Sequence, residues 1–116
     1  MHVPAPSPSS SMVQLIITVT TRPGRVADYV SAFSALAPRV RSEEGCIEYD
    51  IYRDSTDPRF DNKARPDTVV LCEKWESIEA LQRHTRESAA LDEFRERVKD
   101  IKLESGYWLL TPALGQ

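Results

Sequence analysis

Residues 68–84 read Thr-Val-Val-Leu-Cys-Glu-Lys-Trp-Glu-Ser-Ile-Glu-Ala-Leu-Gln-Arg-His, and two periodicities meet inside them. From Thr68 to Glu76 the side chains alternate as on a strand. Val69, Leu71, Glu73 and Trp75 share one face, and Val70, Cys72, Lys74 and Glu76 share the other. Ser77 then offers an N-cap, with Glu76 and Glu79 beside the positive end of a helix dipole. Ile78, Leu81 and His84 follow at helical spacing along a stripe to be buried.

Working downstream, Ser88 caps a second helix whose stripe is Leu91, Phe94, Val98 and Ile101, and Leu103 to Thr111 reads as a strand ended by Pro112. Upstream, residues 55–67 form a polar, proline-punctuated loop too long for a tight hairpin. Its cationic side chains, with Arg53 just before it, suit a solvated excursion better than a lid or a reach to a neighbouring subunit. Cys46 to Asp54 alternates as a strand, with Ile47, Tyr49 and Ile51 on one face and Cys46, Glu48, Asp50 and Tyr52 on the other. Gly45 closes the helix before it. That helix, roughly 18 residues long, buries Val26, Tyr29, Val30, Phe33, Leu36, Ala37 and Val40, and Pro38 is expected to kink or fray its last turn. Gln14 to Thr21 is β-branched and suits a strand in the middle of a sheet.

The order is β-α-β-β-α-α-β, an α+β split βαβ arrangement with helices on one face of an antiparallel sheet. The other face would carry Tyr52, Val70, Cys72 and apolar residues of the outer strands, so a second subunit is expected to cover it. Tyr107 and Trp108 on the last strand, and Tyr29 and Phe33 on the first helix, read as packing or dimer contacts.

At 116 residues there is room for one domain, 12–116, behind a Pro- and Ser-rich stretch, 1–11, that is expected to be disordered; Met12 is a candidate start. Fifteen basic against 18 acidic residues leave a net charge of −3, which argues against a broad electropositive face for nucleic acid or anionic lipid. No apolar run is long enough to span a membrane, and the reading is cytoplasmic. Cys46 and Cys72 form no Cys-x-x-Cys pair and read as small buried hydrophobes. With only His2 and His84, and no Gly-rich phosphate cradle among four glycines, no metal and no cofactor is expected.

Gly45-Cys46-Ile47-Glu48-Tyr49-Asp50, Leu71-Cys72-Glu73-Lys74-Trp75-Glu76-Ser77 and Glu79-Ala80-Leu81-Gln82-Arg83-His84 together resemble the antibiotic biosynthesis monooxygenase domain, and the resemblance runs over nearly all of residues 13–112. It implies a ferredoxin-like fold, two copies of which join sheet to sheet as a dimeric α+β barrel, with a pocket between each sheet and its own helices. The family includes cofactor-free quinol and anthrone oxygenases, isomerases of a phosphorylated signalling sugar and haem-degrading relatives. Ala89 stands where the sugar isomerases carry a second histidine. The only asparagine is Asn62 in the long loop, whereas haem-degrading relatives use one on the first strand. Both activities are disfavoured.

In that frame Trp75 and Tyr49 would hold a flat aromatic ring between them, and His84 and Glu73 would act at its edge as base and hydrogen-bond acceptor. The pocket suits cofactor-independent oxidation of a quinol- or anthrone-like molecule by O2, begun by deprotonation, with His84 as candidate base and a desolvated Glu73 sharing the task. Other readings stay open: a dimeric binding protein whose aromatics are only core, a Glu73 paired with a helix arginine, or an isomerase or decarboxylase using the same acid and base.

Overall fold

A computed structural model describes residues 11–114, so the stretch expected to be disordered lies, apart from Ser11, outside the described residues. The elements are β1 (Val13–Thr21), α1 (Val26–Arg41), β2 (Cys46–Tyr52), β3 (Thr68–Trp75), α2 (Ile78–Glu87), α3 (Ala89–Val98) and β4 (Lys102–Leu110). Every pairing is antiparallel, in the spatial order β2-β3-β1-β4. This is the α+β ferredoxin-like fold.

The register sorts the residues by face. Val13, Leu15, Ile17 and Val19 of β1 stand opposite Trp75, Glu73, Leu71 and Val69 of β3, and this row lies under the helices. The helices reach it with Tyr29, Phe33, Leu36 and Val40 from α1, Leu81 from α2, and Leu91, Phe94 and Val98 from α3. Both short helices start as their sequences indicate. Ser77 Oγ accepts from Ala80 N–H and Ser88 Oγ from Leu91 N–H, each at 3.1 Å.

Three local expectations need correction. Ile47 does not share the inward face with Tyr49: the register between β2 and β3 slips between Cys46 and Glu48, so Cys46 stands opposite Trp75 and Ile47 is 55% exposed. One extra residue in a bulge reverses the alternation on one side of it. α1 continues through Pro38 to Arg41, because Val40 anchors its last turn in the core while Pro38 and Ser34, whose mutual hydrogen bond is lost, both face water. That helix ends at Ser42, ahead of Gly45. Gly45, at φ +86°, instead turns the chain into β2, and a Cβ there would stand 2.5 Å from Ala80 Cβ, so it lets α2 approach closely.

The bare face of the sheet mixes large apolar side chains with Glu48, Asp50 and Lys74. Ile16 stands opposite Cys72 on one side and Trp108 on the other, Tyr52 opposite Val70, and Gln14 opposite Leu110. Trp108 is 57% exposed, Tyr52 51% and Leu110 45%. Glu48 and Lys74 face each other there without forming a close ion pair among the described residues. Cys46 and Cys72 are both free and only half-buried, and they lie on opposite faces of the sheet. The long loop is cross-braced: Arg65 grips Asp54 through Nε and Nη2 at 2.8 and 2.9 Å, holding that carboxyl well below the usual carboxylate range. Among the described residues no helix is long and apolar enough to cross a membrane.

Candidate active site

Where α2 and α3 stand off from β1 and β4, a cleft of about 740 Å³ opens, walled by Leu15, Ile17, Leu71, Leu91, Phe94 and Leu109. That volume suits a small organic molecule, and such a wall favours a flat apolar one. Into it the fold brings Glu73 from β3, Tyr49 from β2, Tyr29 from α1 and His84 from α2, all four nearly buried.

Glu73 sits mid-strand on the helix face because alternation from Val69 puts it there. Its Oε1 accepts a hydrogen bond from Trp75 Nε1 at 3.0 Å. Burial pushes its carboxyl up to about 7; the Trp75 bond opposes that rise, Glu43 adds to it and Arg95 opposes it. The group is therefore shared between acid and carboxylate at neutral pH. The phenols of Tyr29 and Tyr49 are both raised by burial and by Glu73, which keeps them neutral donors.

His84 is held from behind. Its Nδ1 is 2.7 Å from Glu43 Oε1, and Ser88 Oγ donates to Glu43 Oε2 at 2.5 Å. A glutamate that accepts from both neighbours fixes the tautomer: the proton of the neutral ring sits on Nδ1 and the lone pair on Nε2. Burial lowers the His84 pKa, against the raising effect of Glu43, so the neutral ring prevails at pH 7. Among the described residues no buried side-chain nitrogen or oxygen lacks a hydrogen-bond partner. Among the described residues His84 Nε2 and Glu73 Oε2 make no hydrogen bond, and both residues line the cleft, His84 also bordering a smaller polar pocket beside Glu43 and Ser88. A neutral imidazole with an unpaired ring nitrogen has the chemistry to accept a proton.

The expected residues do gather, but differently arranged. Trp75 does not line the cleft. It is fully buried, and its ring stacks on His84 with centroids 4.7 Å apart and planes 29° apart. Tyr49 stacks on Phe33 at 5.0 Å and meets His84 edge-on at 5.5 Å. Imidazole and phenylalanine thus fill the space on either side of Tyr49, and no slot for a guest opens between Tyr49 and Trp75. The open wall is β4 instead, where Tyr107 and Leu109 stand opposite Ile17 and Leu15 and face the cleft. Tyr107 therefore lines the cleft, with 71% of its surface exposed. Glu43, Ser88, Tyr107 and Arg95 were not singled out from the sequence as site residues. For Tyr107 and Leu109 the signal was present, since alternation separates them from Trp108 and Leu110. For Glu43 it was absent, as a glutamate in a polar turn has no distinguishing spacing. Among the described residues no three of His, Cys, Asp and Glu converge so as to hold a metal ion.

Residues 12–99 match the sequence model of the antibiotic biosynthesis monooxygenases. The chain belongs to the antibiotic biosynthesis monooxygenase family. It is 30% identical over 105 residues to the protein of Escherichia coli K12 described as "Probable quinol monooxygenase YgiN", covering 89% of this chain and all of that one. Among solved structures it is similar to Rv0793 from Mycobacterium tuberculosis, with 27% identity, a TM-score of 0.71 and coverage of 88% of this chain and 95% of that one. PA3566 from Pseudomonas aeruginosa shares the fold at 24% identity and a TM-score of 0.73, with coverage of 90% and 96%.

Proposed function

We propose that the protein is a cofactor-independent monooxygenase of an electron-rich hydroxylated aromatic, a quinol or an anthrone-like molecule. The single observation that carries this reading is the placement of a buried His84 on an apolar cleft with its Nδ1 2.7 Å from Glu43 Oε1. Family membership and the name of the Escherichia coli relative agree with it.

The ring of the substrate lies among Leu15, Ile17, Phe94, Tyr107 and Leu109, with one hydroxyl directed at His84 and Glu73. His84 Nε2 takes the hydroxyl proton, and Glu43 stabilises the imidazolium formed. The resulting phenolate is electron-rich enough to pass one electron to O2, and the radical pair combines at a ring carbon to give a hydroperoxide. The same base removes the hydrogen from that carbon, the O–O bond breaks, and hydroxide leaves as water with the proton held by the site. One oxygen atom stays on the ring as a new carbonyl and the other becomes water, so the substrate supplies all the electrons. Glu73, near its midpoint at neutral pH, donates to or accepts from the ring oxygens as their charge changes.

A second copy of the chain is the proposed cover for the face bearing Ile16, Trp108, Leu110 and Tyr52, sheet to sheet about a two-fold axis, which presents the same patch from both sides.

The test is oxygen uptake with a panel of bicyclic hydroquinones and anthrones, without added metal or flavin. Consumption should be saturable in substrate, and His84→Ala should lower kcat by about a hundredfold or more. Uptake no faster than in buffer across the panel would refute the oxygenase reading and leave a binding protein.

A further inference from the structure

The cleft is charged against the trend of the chain. The protein as a whole is acidic, with a net charge of −3, yet Arg95, Lys99 and Lys102 all line the cleft and Glu73 is the one acidic residue that does. The three cations come from α3 and the start of β4, so they gather at one end of an otherwise apolar wall.

Their commitments differ. Lys99 Nζ lies 2.5 Å from Glu96, its positive charge already answered. Arg95 is held through one nitrogen: Nη1 donates to Thr85 O at 3.3 Å and lies 3.7 Å from Asp92 Oδ1. That anchor ties the side chain across the α2–α3 junction, at the rim of the cleft. The Nε–H and Nη2–H edge makes no hydrogen bond among the described residues, and this edge is the planar fork that matches a carboxylate bidentately. Its charge acts on both functional groups of the site, lowering the pKa of Glu73 and of His84. Arg95, Glu73 and His84 all line the same cleft, so one ligand lying in it can engage both the guanidinium and the acid–base pair.

We propose that the aromatic taken by this cleft carries a carboxylate, which the free edge of Arg95, assisted by Lys102, binds while the hydroxyl end meets His84 and Glu73. This rests on the reading of the cleft as a site for a hydroxylated aromatic and narrows it to hydroxyaryl acids. An apolar wall accepts any flat ring of suitable size, so discrimination belongs to the charged rim. A carboxylate is also drawn toward a cleft lined by three cations and, among the described residues, one acidic side chain.

The test is binding, so that it does not depend on turnover. The fluorescence of 6-hydroxy-2-naphthoate, which is not a hydroquinone, is titrated with the full-length protein at pH 7 and compared with its methyl ester, the same ring and hydroxyl without the charge. The acid should bind about tenfold more tightly than the ester at low salt, as expected for a charge-assisted bidentate contact. That advantage should shrink with added sodium chloride while ester binding stays unchanged. Arg95 is exposed, and Arg95→Gln should bring the acid to within about threefold of the ester by removing the fork and leaving the ring site intact. Equal binding of acid and ester by the native protein would overturn the inference. So would an Arg95→Gln variant that weakens both ligands alike, since Arg95 would then be acting on the ring or its hydroxyl. If the acid is preferred through Arg95 and no hydroquinone consumes oxygen, this inference stands and the oxygenase reading falls.

Discussion

The two faces of one sheet treat polarity in opposite ways. Under the helices, in a core closed by Val19, Val69 and Trp75, the fold buries a carboxyl and an imidazole, groups that lose hydration there. On the bare face, where water would welcome charge, the strands present Trp108, Tyr52, Leu110 and Ile16. Each arrangement opposes the stability of an isolated chain, and each becomes favourable with a partner. A small ligand with a proton to share rewards a buried Glu73 and His84; a large apolar partner rewards an exposed tryptophan. Under the proposed function, the contrast would place chemistry on the helix side and assembly on the other.

The largest expected effect on stability tests whether Glu73 is held there at a cost. Its folded value of about 7 lies above the ordinary 4.5. Between those values the native state binds more protons than the unfolded chain, so stability is greatest below pH 4.5, falls as pH rises through about 7 and is flat above. Glu73→Gln keeps an acceptor for Trp75 and has no such slope. Relative to the variant, the native protein should lose about 3 kcal/mol between pH 4.5 and 8, read from urea unfolding. Parallel profiles would show that the carboxyl is not buried as described.

Next comes the bare face. Trp108→Glu places a charge opposite Ile16 and should weaken self-association by at least about 2 kcal/mol in sedimentation equilibrium. Ligand binding in the cleft should be retained, because Trp108 is not among the residues that line it. A native protein that stays monomeric at all concentrations would remove the proposed dimer.

The smallest effect concerns Glu43, which touches no substrate and positions His84. Glu43→Gln keeps the shape of the Nδ1 contact but removes its charge, and should lower kcat about tenfold with KM little changed. If Glu73 sets the basic limb of the pH–rate profile, that limb should move to lower pH because Glu43 no longer raises the Glu73 carboxyl, and the acidic limb should move to lower pH as the imidazolium loses its carboxylate partner. A fall in kcat without that move would mark Glu43 as merely structural.

Sequence patterns revealed the fold because its determinants are local: the Ser77 and Ser88 caps, the alternation from Val69 to Trp75, and the apolar stripe of α1. Glu73, Tyr49 and His84 reached the cleft for the same reason, each lying on a face its own element defines. Two things escaped. The Ile47 bulge changes facing by one residue, and alternation reads equally well on either side of it. The side of Tyr49 on which a guest would lie depends on Phe33 and His84, which reach it from other elements. Glu43 escaped for a related reason, since its role exists only through contacts with residues about forty positions away.

Nitrogen-15 NMR of the histidines at pH 7, with and without 2-naphthol, tests the central claim most directly. The account predicts that neutral His84 carries its proton on Nδ1, with Nε2 in the shift range of an unprotonated nitrogen, and that 2-naphthol moves the Nε2 signal as its hydroxyl donates there. A proton found on Nε2, or an Nε2 signal that ignores the bound naphthol, would contradict it.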